Sequence, residues 1–276
     1  MVVTFWPHPR TVLQKDAREL RLLNSLQEKR EILSAMGVDR VEVVDFTRDF
    51  RRLTAEEYLR DLVIGRLGGT AVVLGYDNRM GSDGLPHDAI VPLARSLGLD
   101  VFECSPIFGG GNLSGAVLPK EEISVAEAIS STRIRAALEG GEVGVAEAML
   151  GYRYGLHGVV VAGNRLGRTI GYPTANMQLY EPLKLIPANG VYLVEAETTG
   201  MHLYGMTNIG VRPTVSGSGA RTIETHIFDF NEYIYGLDLR LRFITSIRDE
   251  RRFDSLDALK DQLAADERAC RALIAK

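Results

Sequence analysis

The segment GRTIGYPTAN, residues 167–176, combines residue types that can hold phosphate and a hard cation. Pro173 stiffens the turn before Thr174, whose hydroxyl can bind Mg²⁺ or a phosphate oxygen, and Asn176 offers an amide oxygen. Because Mg²⁺ usually shares oxygen ligands with phosphate groups, this spacing predicts a metal–phosphate site. The alternative is a tight turn at a barrel edge, in which the Thr and Asn side chains cap their own backbone.

The residues around this turn can surround an anion. Glycines let backbone N–H groups approach a phosphate closely, and arginines add positive charge. The residues concerned are Gly163, Arg165, Gly167, Arg168 and Gly171. No G-x-x-x-x-G-K-[ST] segment occurs in the sequence, so any nucleotide must be held by another device.

A second candidate is the strand-like segment RTIETHIFDF. Strand alternation places Glu224 on the same face as His226 and two phenylalanines. A carboxylate beside an imidazole on an otherwise aromatic face can act as a general base. The alternative is an ion pair on an edge strand.

The arginine-rich segment TSIRDERRFDS is a third candidate. Arg248, Arg251 and Arg252 could clamp a phosphate or close over a ligand. A mixed run of acids and bases is more often a solvated face.

A fourth candidate is His8, which lies between two prolines in TFWPHPR. It follows a strand-like run, and the carboxyl ends of strands are where open α/β sheets bind ligands. A single histidine is weak evidence for such a site.

Short apolar runs alternate with helix-like stretches in the first half of the chain. The runs MVVTF, VEVVDF, TAVVLGY and DVFECS are typical of buried parallel strands. The stretches between them have apolar residues at helical spacing, and one opens on a capping-box pattern of Thr54 and Glu57. This alternation predicts a doubly wound α/β sheet. Its first strand leads into WPHP rather than into the phosphate-binding turn usual there.

The segment ISSTRIRAALEGGEVGVAEAML predicts two short helices. Ser130 or Ser131 would cap the first, and the amide-rich helix start could attract an anion.

The pattern changes after Leu150. Strand-like runs follow one another across glycine-bearing turns without helices between them, which predicts a small antiparallel barrel or sandwich. An amphipathic helix closes the chain, with Leu256, Leu259, Leu263, Cys270 and Leu273 on one face. We therefore expect two domains, residues 1–148 and 149–276.

The composition excludes several classes of protein. A formal net charge of -4 gives no sign of a nucleic-acid footprint, and no apolar run is long enough to span a membrane. The two cysteines, Cys104 and Cys270, lie far apart, so a disulfide framework is not expected. With no secretion signal in MVVTFWPHPR, these features favour the cytoplasm.

The order of the motifs TFxPHP, GYDxRxG, ISSTRIR, GRTxGYPTAN, NIGxRPT, ExHIFDF and RDERRFDS resembles that of the prokaryotic bifunctional riboflavin kinase/FMN adenylyltransferases, also called FAD synthetases. The resemblance runs from residue 2 to about residue 256. It is most specific in GYPTAN, NIGVRPT and ETHIFDF, which are typical of the riboflavin kinase module.

The resemblance implies that the C-terminal module is a Greek-key barrel that transfers the γ-phosphoryl group of ATP to riboflavin, giving FMN. It implies that Thr174 and Asn176 bind Mg²⁺ and nucleotide phosphates, and that Glu224 is the base toward the ribityl hydroxyl. The other implied binding residues lie in the glycine-rich flap from Gly163 to Gly171, in the NIGxRPT loop and in a second flap near the flavin. In the latter two they are Asn208, Arg212, Arg248 and Arg251.

The first half resembles the adenylyltransferase module, which joins FMN to AMP from ATP, giving FAD and pyrophosphate. The residues that match its motifs are His8, Asp77, Arg79, Ser130, Ser131, Thr132 and Arg133. The family carries a G-x-F-D-G-x-H-x-G-H segment before the PHP strand, and no H-x-G-H occurs in this sequence. We therefore expect the α/β domain to lack its first strand and helix, which leaves two facing sheet edges unpaired.

Two hypotheses fit this departure. In one, the natural protein is longer and bifunctional, which the cost of deleting a central strand favours. In the other, the chain is complete and has kinase activity without adenylyl transfer, and the half-sheet either serves association, for example in a homo-oligomer, or is a remnant. A flavin-binding or regulatory protein without turnover is a third possibility. A base beside a metal site argues against it, because binding alone needs no such base.

Overall fold

A computed structural model describes residues 1–13, 20–108, 128–163, 166–212 and 220–275, with the backbone alone at 13, 166, 212 and 220. The chain divides into two compact units, residues 1–20 with 24–108 and residues 21–23 with 109–276. The domain boundary at 148/149 stays a prediction. Within the described ranges, no helix has both the length and the apolar character needed to cross a membrane.

The first unit alternates strands and helices. In chain order these elements are β1 (Val2–Trp6), α1 (Pro9–Leu13), α2 (Leu26–Ala35), β2 (Val41–Asp45), a 3₁₀ turn (Phe50–Arg52), α3 (Ala55–Glu57) continuing as a π-helical stretch (Tyr58–Arg66), β3 (Ala71–Gly75), β4 (Arg79–Met80), β5 (Leu85–Pro86), α4 (His87–Ser96) and β6 (Asp100–Cys104). The four strands predicted from the apolar runs are β1, β2, β3 and β6.

Capping boxes fix the starts of two helices in this unit. At α3 the Thr54 hydroxyl accepts the backbone N–H of Glu57, and the Glu57 carboxylate accepts the N–H of Thr54, as the sequence predicts. Ser25 and Glu28 form the same arrangement at the start of α2. Each box satisfies two backbone donors that a helix start would otherwise leave unpaired.

The parallel strands of this unit form two separate pairs. Among the described residues, β1 pairs with β2 and β3 pairs with β6. A cavity of about 1200 Å³ is lined by both inner strands, β1 and β3. Val73 and its neighbour Phe102 are 68% and 61% exposed, so one face of the β3–β6 pair is uncovered. Within the described residues, the doubly wound sheet expected from the sequence is therefore seen as two separate parallel pairs.

The second unit contains two helices, a barrel and a closing helix. Its elements are α5 (Ser131–Glu139), α6 (Val143–Leu150), β7 (Gly155–Val161), α7 (Leu166–Thr169), β8 (Ala175–Leu179), β9 (Gly190–Thr198), β10 (Met201–Arg212), β11 (Ala220–Ile227), β12 (Asp238–Arg248) and α8 (Leu256–Ile274). The Ser130 hydroxyl caps α5 by accepting the N–H of Arg133, so the first of the two serines offered by the sequence is the cap.

The barrel is closed and antiparallel, with strand order β10-β11-β8-β7-β12-β9. Strands β9, β10 and β11 are consecutive neighbours and β12 returns beside β9, which is the Greek-key order. Closure confirms a barrel rather than a sandwich. Alternate residues point inward to a core shared with α5 and α6, which includes Leu138, Leu156, Val194, Ile209 and Phe243.

The outer face of β9 and β10 is covered by α8. Val191, Leu193 and Met206 form a second apolar cluster there with Cys270. The predicted apolar face of α8 is only partly used, because Leu256 and Leu273 at its two ends are exposed. The helix therefore packs through its middle, next to the polar residues described below.

Candidate active site

Glu224 lies at the centre of a row of polar side chains that crosses three neighbouring strands. In the ladder it is directly opposite Asn176 of β8 on one side and Asn208 of β10 on the other. Side chains of cross-strand partners point to the same face, so all three project from the outer surface of the barrel. The adjacent residues Thr207 and Thr225 point inward, where their buried hydroxyls lie 2.8 Å apart in a hydrogen bond.

The glycines before β8 make room for this row. A β-carbon at Gly163 would lie less than 3.0 Å from three atoms of the Asn176 side chain. At Gly167 it would overlap the carbonyl oxygen of Tyr172, whose N–H donates to the Gly167 carbonyl at 2.7 Å. Gly171 has a φ of 88°, which disfavours any side chain. The glycine spacing therefore serves close packing around Asn176 and a tight turn before it.

Two cavities share the side chain of Thr174. The first barrel cavity, of about 250 Å³, is lined on its polar side by Thr174, Asn208 and Glu224, together with Arg248 and Arg251. The second barrel cavity, of about 60 Å³, is lined by Thr174 together with Arg168 and Pro173. Thr174 thus forms part of the wall of both, with the Glu224 carboxylate on one side.

Several lining residues were not among the candidates from the sequence. In the first barrel cavity they are Ile170, Tyr172, Val191, Met206, His226, Glu250, Phe253, Leu259 and Leu263. In the second barrel cavity they include Phe230, Asn231, Glu232, Ile234 and Tyr235. The apolar ones carry the same pattern as core residues, so no signal in the sequence separates them. Tyr172 and His226 lie within the quoted motifs, and that is the signal which could have found them.

Two of the three arginines of the RDERRF segment, Arg248 and Arg251, are held by the closing helix. The Arg248 guanidinium lies 2.8 Å from Asp266, a carboxylate of α8 that is only 2% exposed. Arg251 bonds to Gln262 on the same helix and stacks over Phe253, with 4.9 Å between the guanidinium carbon and the ring centroid. Arg248 and Arg251 thus form part of the wall of the first barrel cavity, although residues 249–252 of the segment are also exposed to solvent.

Tyr172 connects the turn to the same helix. Its pKa is raised above the usual value of tyrosine, first by desolvation and then by the neighbouring negative charge of Glu267. Its ring meets that of His226 edge to face, with 5.2 Å between centroids. The turn that carries Thr174 is thus packed between β11 and α8.

The donors in this region suit a hard cation better than a soft one. In the described parts of the chain, no group of three or more His, Cys, Asp or Glu side chains comes together as a metal site. Thr174 and Asn176 instead offer a hydroxyl oxygen and an amide oxygen. The Asn176 amide has room only because Gly163 beside it has no β-carbon. Such neutral oxygen ligands fit Mg²⁺ that is also bound by phosphate.

Comparison with known proteins gives the same picture for both halves of the chain. The riboflavin kinase family model matches residues 150–274, and the FAD synthetase model matches residues 1–107. A bifunctional riboflavin kinase/FMN adenylyltransferase from Listeria monocytogenes is 34% identical over 275 residues, which is 100% of this chain and 82% of the relative. The protein of that name from Escherichia coli K12 is 36% identical, covering 98% and 81%.

The chain belongs to the bifunctional riboflavin kinase/FMN adenylyltransferase family.

A solved structure also aligns with nearly the whole chain. It is described as a macrolide-efflux protein from Streptococcus pneumoniae, with a TM-score of 0.84, 33% identity and coverage of 98% of this chain and 82% of that one. The alignment supports the two-unit fold. The efflux description belongs to the Streptococcus protein, whereas both family models and the curated relatives agree on flavin enzymes.

The residues that match the adenylyltransferase module divide between the two units. In the first unit, His8 follows β1 and its carbonyl accepts the N–H of Thr11 at 2.8 Å. Asp77 lies in the turn after β3, and Arg79 lines the cavity between the two strand pairs. Ser130, Ser131, Thr132 and Arg133 form the start of α5 and lie in the barrel-containing unit. These residues thus lie in both units of the chain.

Two further candidates cannot be described at the side-chain level. Arg165 lies outside the described residues. Arg212 is the last residue of β10, where its backbone pairs with Ala220. Their roles in binding stay predictions.

Proposed function

We propose that the barrel transfers the γ-phosphoryl group of ATP to the terminal ribityl hydroxyl of riboflavin, giving FMN and ADP. The observation that carries this proposal is the position of Thr174 in the wall of two cavities, with the Glu224 carboxylate lining one of them. A phosphoryl transferase needs a donor and an acceptor site that meet at the transferred group, and a base on the acceptor side.

The first barrel cavity suits the flavin. Its walls combine Tyr172, Met206 and Phe253 with a few polar groups, which is the usual composition of a site for a flat aromatic ligand. The second barrel cavity is too small at about 60 Å³ to hold a whole nucleotide, so we assign to it only part of the nucleotide site, with Arg168 near the phosphates. The two substrates themselves follow from the activity named for the curated relatives.

The chemistry requires little from the protein beyond positioning and charge. Glu224 accepts the proton of the ribityl hydroxyl while the oxygen of that hydroxyl forms a bond to the γ-phosphorus. The bond from that phosphorus to the β–γ bridging oxygen breaks, and ADP leaves. Thr174 and Asn176 would hold Mg²⁺ together with the nucleotide phosphates, and the chemistry it would supply there is neutralisation of phosphate charge.

For the first unit we propose a module of the adenylyltransferase type, whose reaction converts FMN and ATP into FAD and pyrophosphate. The sequence given contains no H-x-G-H, and the two strand pairs are separated by a cavity. We therefore propose that the 276-residue chain makes FMN and does not proceed to FAD. Use of ATP and riboflavin fits a cytoplasmic enzyme.

A single incubation tests both proposals. The purified chain is mixed with riboflavin, ATP and Mg²⁺, and riboflavin, FMN and FAD are separated by chromatography. We expect FMN to accumulate with ADP in equal amounts and FAD to be absent. Recovery of riboflavin alone would leave a binding protein without turnover, and formation of FAD would overturn the proposal for the first unit.

A further inference from the structure

The ladder between β8 and β11 stops just before Thr174. Its two register pairs are Glu224 with Asn176 and Thr225 with Ala175. Continued by one step, the same register would place Thr174 opposite His226, but β8 begins only at Ala175. The residue that lines both barrel cavities therefore lies beyond the last backbone pairing that could fix it.

A side chain takes over where the ladder ends. Nδ1 of His226 lies 2.9 Å from the carbonyl oxygen of Pro173, the residue before Thr174. A carbonyl only accepts, so Nδ1 is the donor and carries a proton in this arrangement. Proline has no N–H, so the carbonyl is the only backbone group of Pro173 that β11 can hold.

The His226 ring is itself held in place from two sides. It meets the Tyr172 ring with 5.2 Å between centroids and the Phe228 ring with 5.9 Å, both edge to face. His226 is also two residues from Glu224 on the same strand, so both side chains face the first barrel cavity. The imidazole thus links the strand that carries the carboxylate to the turn that carries the hydroxyl.

We infer that His226 is a positioning residue for phosphoryl transfer. Through the Pro173 carbonyl it fixes the Thr174 hydroxyl relative to the Glu224 carboxylate, and it does so without touching the transferred group. The inference rests on the proposed kinase function, because it assigns Thr174 to the nucleotide phosphates. A displacement of about 1 Å at such a site can cost about 100-fold in rate, so one hydrogen bond in this position has a large effect.

A matched pair of substitutions isolates the hydrogen bond. His226→Asn keeps an N–H donor at the δ position of the side chain, whereas His226→Leu has the same branching and no donor. We expect His226→Asn to stay within about 3-fold of the unchanged chain in kcat/KM for Mg·ATP, and His226→Leu to lose about 10-fold or more. Because His226 also lines the first barrel cavity, the Kd of riboflavin, followed by flavin fluorescence, can change in both variants, but it should differ between them by less than kcat/KM for Mg·ATP does.

The outcomes separate this inference from the function on which it rests. If the unchanged chain makes no FMN, the proposed function fails. If it makes FMN and the Asn and Leu variants are equal in kcat/KM for Mg·ATP, the positioning role is wrong. A difference confined to the riboflavin Kd also overturns it, since His226 would then be a flavin contact. Should the Leu variant not fold, as judged by circular dichroism, His226→Gln replaces it. The amide nitrogen of glutamine lies one bond further along the side chain than Nδ1 of histidine, so it is not in position to donate to the Pro173 carbonyl.

Discussion

Gly163 and Asn176 pack so closely that a β-carbon on residue 163 would overlap the amide group of Asn176. We predict that Gly163→Ala displaces that amide and lowers kcat/KM for Mg·ATP by about 10-fold or more, with a smaller effect on the Kd of riboflavin. Steady-state kinetics at varied Mg·ATP measure this. Gly140→Ala is the control, because its β-carbon would meet its nearest neighbour at 3.4 Å and fits after a small adjustment. Equal kinetics in the two variants would contradict the role assigned to Gly163.

The second prediction concerns the carboxylate in the middle of the row. Glu224→Gln keeps the size and hydrogen-bonding capacity of the side chain but removes its basicity. We expect kcat to fall by about 100-fold to 10,000-fold, the usual contribution of a general base, while riboflavin still binds. The exposed Glu139, at the end of α5, gives the control Glu139→Gln, which should leave kcat unchanged. If Glu224→Gln also leaves kcat unchanged, another group accepts the proton.

The third prediction concerns the ion pair between β12 and α8. Asp266 is 2% exposed, and its carboxylate accepts from Arg248 and, at 2.6 Å, from the Gln262 amide. Removing one partner of a buried pair leaves the other charge uncompensated, so Asp266→Ala should lower the free energy of unfolding by about 3 kcal/mol. Because Arg248 lines the first barrel cavity, KM for riboflavin should rise as well.

Urea unfolding followed by circular dichroism measures the stability change. The control is Asp229→Asn, which removes the charge from an ion pair with Arg271 at the surface, with the two side chains 76% and 43% exposed, and keeps a residue type that tolerates the positive φ of position 229. Surface pairs contribute about 1 kcal/mol or less, so this variant should lose far less stability than Asp266→Ala. A loss of the same size in both would show that burial does not distinguish the two pairs.

The fourth prediction concerns the two thiols. Cys104 is exposed, whereas Cys270 is fully buried on the face of α8 that packs against the barrel. Burial, helped by the nearby negative charges of Asp266 and Glu267, raises the pKa of Cys270 to about 12. Since the thiolate is the reactive form, iodoacetamide at neutral pH should alkylate Cys104 in the folded chain and Cys270 only in denaturant. Mass spectrometry of the peptides reads this out, and early modification of Cys270 would mean that α8 leaves the barrel readily.

Local signals in the sequence predicted the elements well. The Thr54 and Glu57 spacing identifies the start of α3, and strand-like runs identify five of the six barrel strands, because these patterns depend on neighbours a few residues away. The sixth strand, β8, was not predicted, since it begins within the polar segment GRTIGYPTAN. The candidate residues Thr174, Asn208 and Glu224 came from motifs, and the structure brings them to one face. What the motifs could not provide is the register that sets Asn176 opposite Glu224, since strand pairing depends on turns and packing elsewhere.

Long-range partners were beyond the reach of sequence patterns. Arg248 was predicted as a ligand-binding residue, and nothing in the run RDERRF indicates that a buried acid 18 residues later would hold it. The apolar walls of the cavities were missed for a related reason. Phe230 and Phe253 differ from core residues only because each borders a cavity, and those cavities exist only after the chain has folded.

The split sheet of the first unit has a consequence for handling the protein. In the described residues, β1 and β3 do not pair with each other. An unpaired strand edge exposes backbone N–H and C=O groups that can form hydrogen bonds to a strand of another molecule. The six-stranded barrel offers no such edge, because its last strand pairs with its first. As the protein is concentrated, aggregation should therefore start in the amino-terminal unit, while the barrel stays folded.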